Sequence, residues 1–251
     1  METLLSIKSV SLTYHSKKTE TLAVSDLSFD VEKGSFVAII GPSGCGKTSI
    51  LSLISGLIPK SAGHILLNGK EVVKPVNEIG YMLQKDQLFP WLTIEKNILL
   101  PLKIKKKSNK KNKAYANALT DKYGLKEFKK YYPAELSGGM RQRVALIRTL
   151  SSSPDLLLLD EPFSALDYQT RLLVCDDVYN IIKSEKKTAI LVTHDISEAI
   201  SLADSIIVLS ARPAKVKARY DLNFDKSLSP LKKREDESFS KWFEILWKEL
   251  N

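Results

Sequence analysis

The sequence predicts an α/β fold organised on a parallel sheet, and three observations carry that prediction. Short apolar runs of strand length alternate with helix-length segments through the second half of the chain, the pattern of parallel strands joined by crossover helices. One run, residues 36–40, passes directly into Gly41-Pro-Ser-Gly-Cys-Gly-Lys-Thr48 and then into the apolar helical stretch that starts at Ser49. Another, Leu156-Leu-Leu-Leu, ends in the paired carboxylates Asp160 and Glu161. Uninterrupted apolar strands of this kind are buried on both faces of a sheet, and ligands of such sheets bind beyond the carboxyl ends of the strands.

The elements follow in order. Residues 4–14 and 24–31 alternate well enough to read as strands. Glu32-Lys-Gly-Ser35 is a turn before the strand at 36–40. A helix is expected over 47–58, stopped by Pro59. Residues 64–67 make a short strand closed by the Asn68-Gly69 turn, and 79–83 make another that runs into Gln84. From 86 to about 153 strand signals are few. Helical stretches at 94–100 and 112–123 flank a lysine-rich run there, so the segment reads as a helical insertion. Strands at 156–160, 188–193 and 205–210 then alternate with helices at 169–184 and 196–202, with a last strand over 215–220. Residues 221–236 are polar and proline-containing and read as a linker. Phe239, Trp242, Phe243, Leu246 and Leu250 fall on one face of a terminal helix, expected to dock on its own domain, with a partner surface as the lesser reading.

Composition narrows the class. The 251 residues allow one large domain or two small ones. A 43% hydrophobic and 27% charged content suits a soluble globular protein, and no apolar run approaches the roughly 20 residues of a membrane-spanning helix. The opening Met1-Glu-Thr-Leu-Leu-Ser lacks the basic and apolar parts of an export signal. Cys45 and Cys175 have no metal-ligand spacing, and a reducing cytoplasm is the expected setting. The net charge of +9 suits anionic partners. Seven of the eleven residues 103–113 are lysine. They read as a solvated loop, with an anionic membrane face as the alternative. No aromatic or arginine lies among them to stack bases, which argues against nucleic acid.

Gly41–Thr48 fits G-x-x-x-x-G-K-[ST] at every fixed position and in the required strand–loop–helix context. Glycines let backbone N–H groups turn inward around phosphate oxygens, and the following helix aims its positive end at the same place. Lys47 supplies a charge for the β- and γ-phosphates, and the Thr48 hydroxyl can take a magnesium ion. The expected nucleotide contacts are therefore Gly41, Pro42, Ser43, Gly44, Cys45, Gly46, Lys47, Thr48 and Ser49. Asp160 would hold magnesium, directly or through water. Glu161, one residue further on, can instead face an attacking water as a general base.

Leu136-Ser-Gly-Gly-Met-Arg-Gln-Arg143 precedes a helix and offers a second set of exposed N–H donors at a positive helix end. With this stretch in place, the chain resembles the ATP-binding subunit of an ABC transporter over roughly residues 3–220, with 221–251 as a linker and C-terminal amphipathic helix. The resemblance implies a P-loop NTPase (RecA-like) core with an N-terminal antiparallel β-subdomain and an inserted helical subdomain. It implies that Gln84 lies near magnesium and the attacking water, that His194 is the switch histidine at the γ-phosphate, and that Tyr14 stacks on adenine. Ser164-Ala-Leu-Asp167 resembles the loop that communicates across the dimer. Two positions depart from the family pattern. Met140 replaces the usual glutamine, and the small residue after Arg148 is replaced by Thr149, a change expected to alter packing.

The resemblance also implies partners. Two copies would close head to tail on two ATP molecules, each phosphate loop facing Ser137, Gly138 and Gly139 of the other copy. Multispanning permease subunits would receive Gln84-Lys-Asp-Gln-Leu-Phe-Pro-Trp91, whose Leu88, Phe89 and Trp91 are either an interface or internal packing. The subunit would sit peripherally on the cytoplasmic face of the membrane, with an extracytoplasmic solute-binding protein in the same system. Leu88-Phe-Pro-Trp91, the methionine form of the signature and Ala211-Arg-Pro-Ala214 resemble importers of the nitrate, sulfonate and taurine type. The alternatives are an exporter or lipoprotein-release ATPase and a nucleic-acid-associated ATPase. The latter carries two ATPase halves or a long coiled coil, and this chain has one motif set and no heptad tract. A small-molecule kinase would leave the Ser-Gly-Gly turn without a role.

Overall fold

Two sheets meet over one helix. The structure, a computed structural model, describes residues 2–16, 19–225 and 227–250. Met1, the first residue of the stretch read for an export signal, lies outside them. Strands β1 (Thr3–His15), β2 (Glu20–Glu32), β4 (Ala62–Leu67) and β5 (Lys70–Glu71) form an antiparallel sheet in the order β2-β1-β4-β5. The larger sheet has the order β10-β9-β3-β8-β7-β6 and is built from β3 (Phe36–Ile40), β6 (Ile79–Met82), β7 (Leu156–Asp160), β8 (Thr188–Val192), β9 (Ser205–Leu209) and β10 (Val216–Asp221). Its strands pair in parallel except for β10, which is antiparallel to β9. The α/β class and the separate antiparallel subdomain both follow.

The period of two along each core strand sorts side chains between the two faces. Ile39, Leu156, Leu158, Ile190, Val192 and Ile207 pack with α1 (Lys47–Ile54) and the first sheet. Phe36, Leu157, Leu159, Ala189 and Leu191 pack with α2 (Ile94–Ile104), α3 (Lys110–Lys122), α4 (Gly138–Leu150) and α5 (Tyr168–Ser184). Ala38, Ile40, Ile206 and Val208 pack with α6 (Ile196–Leu202) and α8 (Glu237–Leu250). Every residue of β3, β7, β8 and β9 is buried, as expected for strands covered on both faces.

Three expectations need correction. The first helix stops at Ile54, four residues before the expected end. Gly56 adopts φ +72°, and the Gly56 and Leu57 amides donate to Leu53 and Ser52 carbonyls at 3.0 Å each. This left-handed glycine cap ends the helix well before Pro59 can. Residues 221–236 are also more than a polar tether. They contain α7 (Pro230–Lys233) and bury Leu222, Pro230 and Lys233. Beyond them α8 buries Leu246 completely and lays Phe239, Trp242, Phe243 and Leu250 on the α6 cluster. The lysine run is likewise structured: it spans the end of α2 and the first turn of α3, whose N-cap is Asn109. Among the described residues no helix is long and apolar enough to cross a membrane.

Candidate nucleotide site

The phosphate loop leaves the end of β3 and enters α1 through Gly44 and Gly46, at φ +73° and +121°. Only glycine adopts these angles without steric cost. Lys47 is 7% exposed, and its ammonium donates to the carbonyls of Gly41 at 2.8 Å and Pro42 at 3.0 Å. The chain thus holds a buried cation across the mouth of its own loop, where phosphate oxygens would replace carbonyl acceptors. Cys45 is buried in the loop wall, and neither it nor Cys175 is in a disulfide. Pro42 is half-buried and Ser43 exposed at the rim. The exposed Tyr14 comes from β1, its hydroxyl 3.0 Å from Ser49 Oγ at the first turn of α1.

The ends of β6, β7 and β8 bring the remaining groups to the same edge. Thr48 Oγ1 donates to Asp160 Oδ1 at 3.3 Å, and the Tyr81 hydroxyl donates to Asp160 Oδ2 at 3.2 Å. Burial pushes the Asp160 carboxyl above its ordinary range, against the hydrogen bonds from Thr48 and Tyr81. Burial, and then the Asp160 charge, likewise push the Tyr81 phenol up. A buried carboxylate beside a hydroxyl, with no salt bridge to it among the described residues, fits a hard divalent ion held chiefly by phosphate oxygens. Among the described residues no group of three or more His, Cys, Asp or Glu could cage a metal on its own.

Glu161 lies one residue beyond β7 at φ +44°, a strained angle for a side chain of its size. Its amide donates to the Val192 carbonyl at 2.9 Å. Gln84 Nε2 donates to Glu161 Oε2 at 3.1 Å, and His194 Nδ1 lies 3.3 Å from the same oxygen. Three side chains from three strand ends therefore meet at one carboxylate. The arrangement can hold a water between Glu161 and a terminal phosphate and accept its proton.

Ser137, Gly138 and Gly139 stand apart from this cluster, at the start of α4 in the helical layer. Ser137 is the N-cap, its Oγ accepting from the Met140 amide at 3.3 Å. A Cβ on Gly138 would lie 3.0 Å from Leu166, and one on Gly139 would lie 2.8 Å from Val174. Both glycines thus pack closely on side chains of α5 and of the loop before it, in which Asp167 caps α5 through the Thr170 amide. Thr149 reaches over Gly80, where a Cβ would meet its methyl at 2.7 Å, so the departure after Arg148 acts on packing.

The structure adds residues that sequence reading missed. Asn97 is wholly buried: its Oδ1 accepts from the Phe89 amide at 2.8 Å, and its Nδ2 lies 3.0–3.1 Å from the carbonyls of Phe89, Leu92 and Thr93. Arg148 donates to the carbonyls of Asp86 at 2.6 Å and Gln87 at 2.7 Å, and Arg141 Nε donates to Asp86 Oδ2 at 3.0 Å. These groups fix the segment after Gln84 to α2 and α4. On it Leu88 is buried, whereas Phe89 is 37% and Trp91 70% exposed. Internal packing therefore accounts for Leu88, while Phe89 and Trp91 remain at the surface. The one sequence signal for Asn97 was an amide inside an otherwise amphipathic helix.

Comparison with known proteins identifies the family. The ABC transporter family model matches residues 24–164. The chain is 49% identical over 248 residues to the Uncharacterized ABC transporter ATP-binding protein YtlC of Bacillus subtilis (strain 168), covering 98% of this chain and 95% of that protein. It is 46% identical over 205 residues to the Aliphatic sulfonates import ATP-binding protein SsuB of Bacillus cereus (strain ATCC 10987 / NRS 248), covering 81% and 80%. Among solved structures, the dimeric post-hydrolysis state of the ATP-binding cassette MJ0796, bound to ADP and Pi, superposes with a TM-score of 0.73 at 27% identity, covering 88% of this chain and all of that one. The chain belongs to the ABC transporter family.

Proposed function

We propose that this chain is the ATP-hydrolysing subunit of a membrane importer and that it works as a head-to-tail pair. The observation that carries the reading is the meeting of Gln84, Glu161 and His194 beside a complete phosphate loop. ATP lies with its phosphates on the 41–48 loop and its adenine against Tyr14. Lys47 exchanges loop carbonyls for the β- and γ-phosphate oxygens. Thr48, Asp160 and Gln84 are the groups that would hold magnesium, which neutralises phosphate charge when bound. Glu161 accepts the proton of the attacking water, while His194 and Gln84 fix its carboxylate and face the γ-phosphate. Ser137, Gly138 and Gly139 of the second copy close the cage with N–H donors and exclude bulk water.

Loss of the bridging γ-phosphate lets the two copies part. That motion does work only if open and closed forms engage a second protein differently. Phe89 and Trp91, exposed on a segment tied to Gln84, are the surface offered to permease subunits. The subunit therefore acts at the cytoplasmic face of the membrane. Similarity to the aliphatic sulfonate import subunit supports a small organic or inorganic anion as the cargo, captured by an extracytoplasmic solute-binding protein.

The test is Glu161→Gln. The variant should bind ATP with wild-type affinity, hydrolyse it about 10²–10⁴-fold more slowly, and elute as an ATP-stabilised dimer in size-exclusion chromatography with light scattering. Wild-type turnover would remove Glu161 from the chemistry. Transport of candidate anions by vesicles containing the co-purified permease would test the cargo.

A further inference from the structure

The loop between β9 and β10 carries Ala211-Arg-Pro-Ala214, a phrase to which the mechanism above gives no task. It is built to hold one side chain still. Ser210 pairs with Lys215 across its base, the Ser210 amide donating to the Lys215 carbonyl and the Lys215 amide to Ser210 Oγ, each at 3.0 Å. That hydroxyl also lies 2.9 Å from the Ala211 carbonyl and 3.1 Å from that of Pro213. Ala214 is fully buried and bridges to β2, its amide donating to the Ala23 carbonyl at 2.9 Å and its carbonyl accepting from the Ser25 amide at 3.0 Å. The loop thus joins both sheets and runs along the phosphate loop. A Cβ on Gly41 would meet Leu209 at 3.0 Å, and one on Gly46 would lie 3.7 Å from Ala214. From this braced position Arg212 Nη2 donates to the carbonyl of Gly44 at 3.0 Å.

Gly44 stands at the crest of the phosphate loop. The Gly44–Cys45 peptide unit is held at both ends: its carbonyl by Arg212, and its N–H by the Pro42 carbonyl at 3.2 Å. A peptide unit is planar, so fixing both ends fixes its orientation and limits that of its neighbours. Without Arg212 the crest would rest on one weak turn bond between residues that include a glycine, which loses more backbone freedom on ordering than any other residue. The guanidinium also places a second permanent positive charge, beside Lys47, against a loop that must take a polyphosphate.

We propose that Arg212 is a positioning residue for nucleotide binding: it pre-orders the crest of the phosphate loop and strengthens its hold on the phosphate chain of ATP or ADP, without touching the reacting atoms. The inference rests on the reading of 41–48 as the ATP phosphate site. Its consequence is an effect on affinity, separate from chemistry.

The experiment compares wild type with Arg212→Ala, Arg212→Lys and Arg212→Gln. The readouts are titration with a fluorescent ATP analogue and with ADP, steady-state ATPase kinetics and peptide-level hydrogen exchange of the ligand-free protein. A charged hydrogen bond at an exposed rim predicts that Arg212→Ala raises Kd and KM together by about 3- to 10-fold, with kcat held within about 2-fold. Lysine should recover most of the affinity through its charge, and glutamine less. Faster exchange should be confined to the peptide covering 41–46. Unchanged Kd in Arg212→Ala, a fall in kcat at constant KM, or faster exchange across the whole chain would each overturn the proposal. If Arg212→Ala does not fold, the lysine and glutamine variants carry the same readouts, and wild-type Kd in both overturns it. A wild-type chain that binds no ATP would instead defeat the nucleotide reading, and the inference with it.

Discussion

The phosphate loop and the Ser137 turn use one device, a glycine-bearing entry to a helix, yet their surroundings differ. The entry to α1 is enclosed by its own chain: Lys47 spans its carbonyls, Asp160 meets Thr48, Tyr14 meets Ser49 and Arg212 holds Gly44. The entry to α4 is supported from behind, by Leu166 and Val174 against its glycines and by Ser137 as cap. Among the described residues, Gln84, Asp160, Glu161 and His194 make their side-chain contacts elsewhere. Identical local physics therefore yields one helix entry enclosed by its own chain and one left open at the surface, the arrangement that the proposed head-to-tail pair requires.

Mixing two inactive variants tests that difference most sharply. Lys47→Ala should abolish high-affinity nucleotide binding at its own loop, and Ser137→Arg should block the turn offered to the other copy. Each alone should fall below about 1% of wild-type ATPase, since removing a preorganised transition-state contact costs 10²–10³-fold. Random pairing in a head-to-tail dimer makes half the dimers mixed, each with one intact and one doubly damaged site. The mixture should regain about a quarter of wild-type activity if the two sites turn over independently. No recovery, with dimers formed, would place Ser137 in the same chain's site or tie the two sites obligatorily together; a wild-type chain fused to a chain carrying both Lys47→Ala and Ser137→Arg separates those outcomes, because it keeps activity only if Ser137 serves its own chain's site.

The segment joining the two regions should respond next. Asn97 satisfies four backbone groups while fully buried. Asn97→Leu should lose about 2–4 kcal/mol in urea unfolding, because the Phe89 amide and the Leu92 carbonyl lose their side-chain partner, while the Phe89 and Thr93 carbonyls keep the Leu92 and Asn97 amides. Arg148→Ala removes two bonds to the 86–87 carbonyls at the surface side of the same segment. It should cost about 1–2 kcal/mol and loosen Gln84–Trp91 in hydrogen exchange. ATPase of the isolated subunit should stay within a few-fold of wild type, with greater loss in stimulation by the permease. Equal loss in both assays would mean that the segment serves chemistry alone.

What was legible in the sequence follows the same division. The phosphate loop, the Leu156–Asp160 strand and the Ser-Gly-Gly turn are local patterns, and the chain reads out where each begins and ends. The convergence of Gln84 and His194 on Glu161 was not local. It follows from the strand order, which sets β6, β7 and β8 side by side, and it came only through resemblance to a family. Arg148 and Arg212 bind backbone carbonyls far along the chain, Asn97 binds those of the turn just before its helix, and a carbonyl carries no sequence signature. The end of α1 was misjudged because Pro59 drew attention from Gly56, whose left-handed φ stops the helix first. Residues 221–236 seemed a tether because their polar composition hides Lys233, whose stem and ammonium are both covered.

Lys233 gives the smallest expected effect, in the region with no part in the nucleotide site. It is 3% exposed, with its ammonium 5.2 Å from the Tyr179 ring centroid and 5.6 Å from that of Phe224. Burial pulls its pKa down to about 8, against the attraction of Asp204 and assisted by the neighbouring Lys183. The folded value lies below the unfolded one, so the unfolded chain binds more protons between pH 8 and about 10.4. Stability should therefore rise with pH across that window, by at most about 1 kcal/mol per unit. Below pH 8 the lysine is charged in both states and the full burial cost is present. Lys233→Met keeps the packing and removes the charge, so it should be as stable as wild type or more so at pH 7. Its thermal midpoint should lose this pH slope, and ATPase should not change. A wild-type slope that persists in the methionine variant would assign the titration to another group. A drop in ATPase would mean that the C-terminal segment reaches the nucleotide site after all, and that the enclosed half-site extends further than β10.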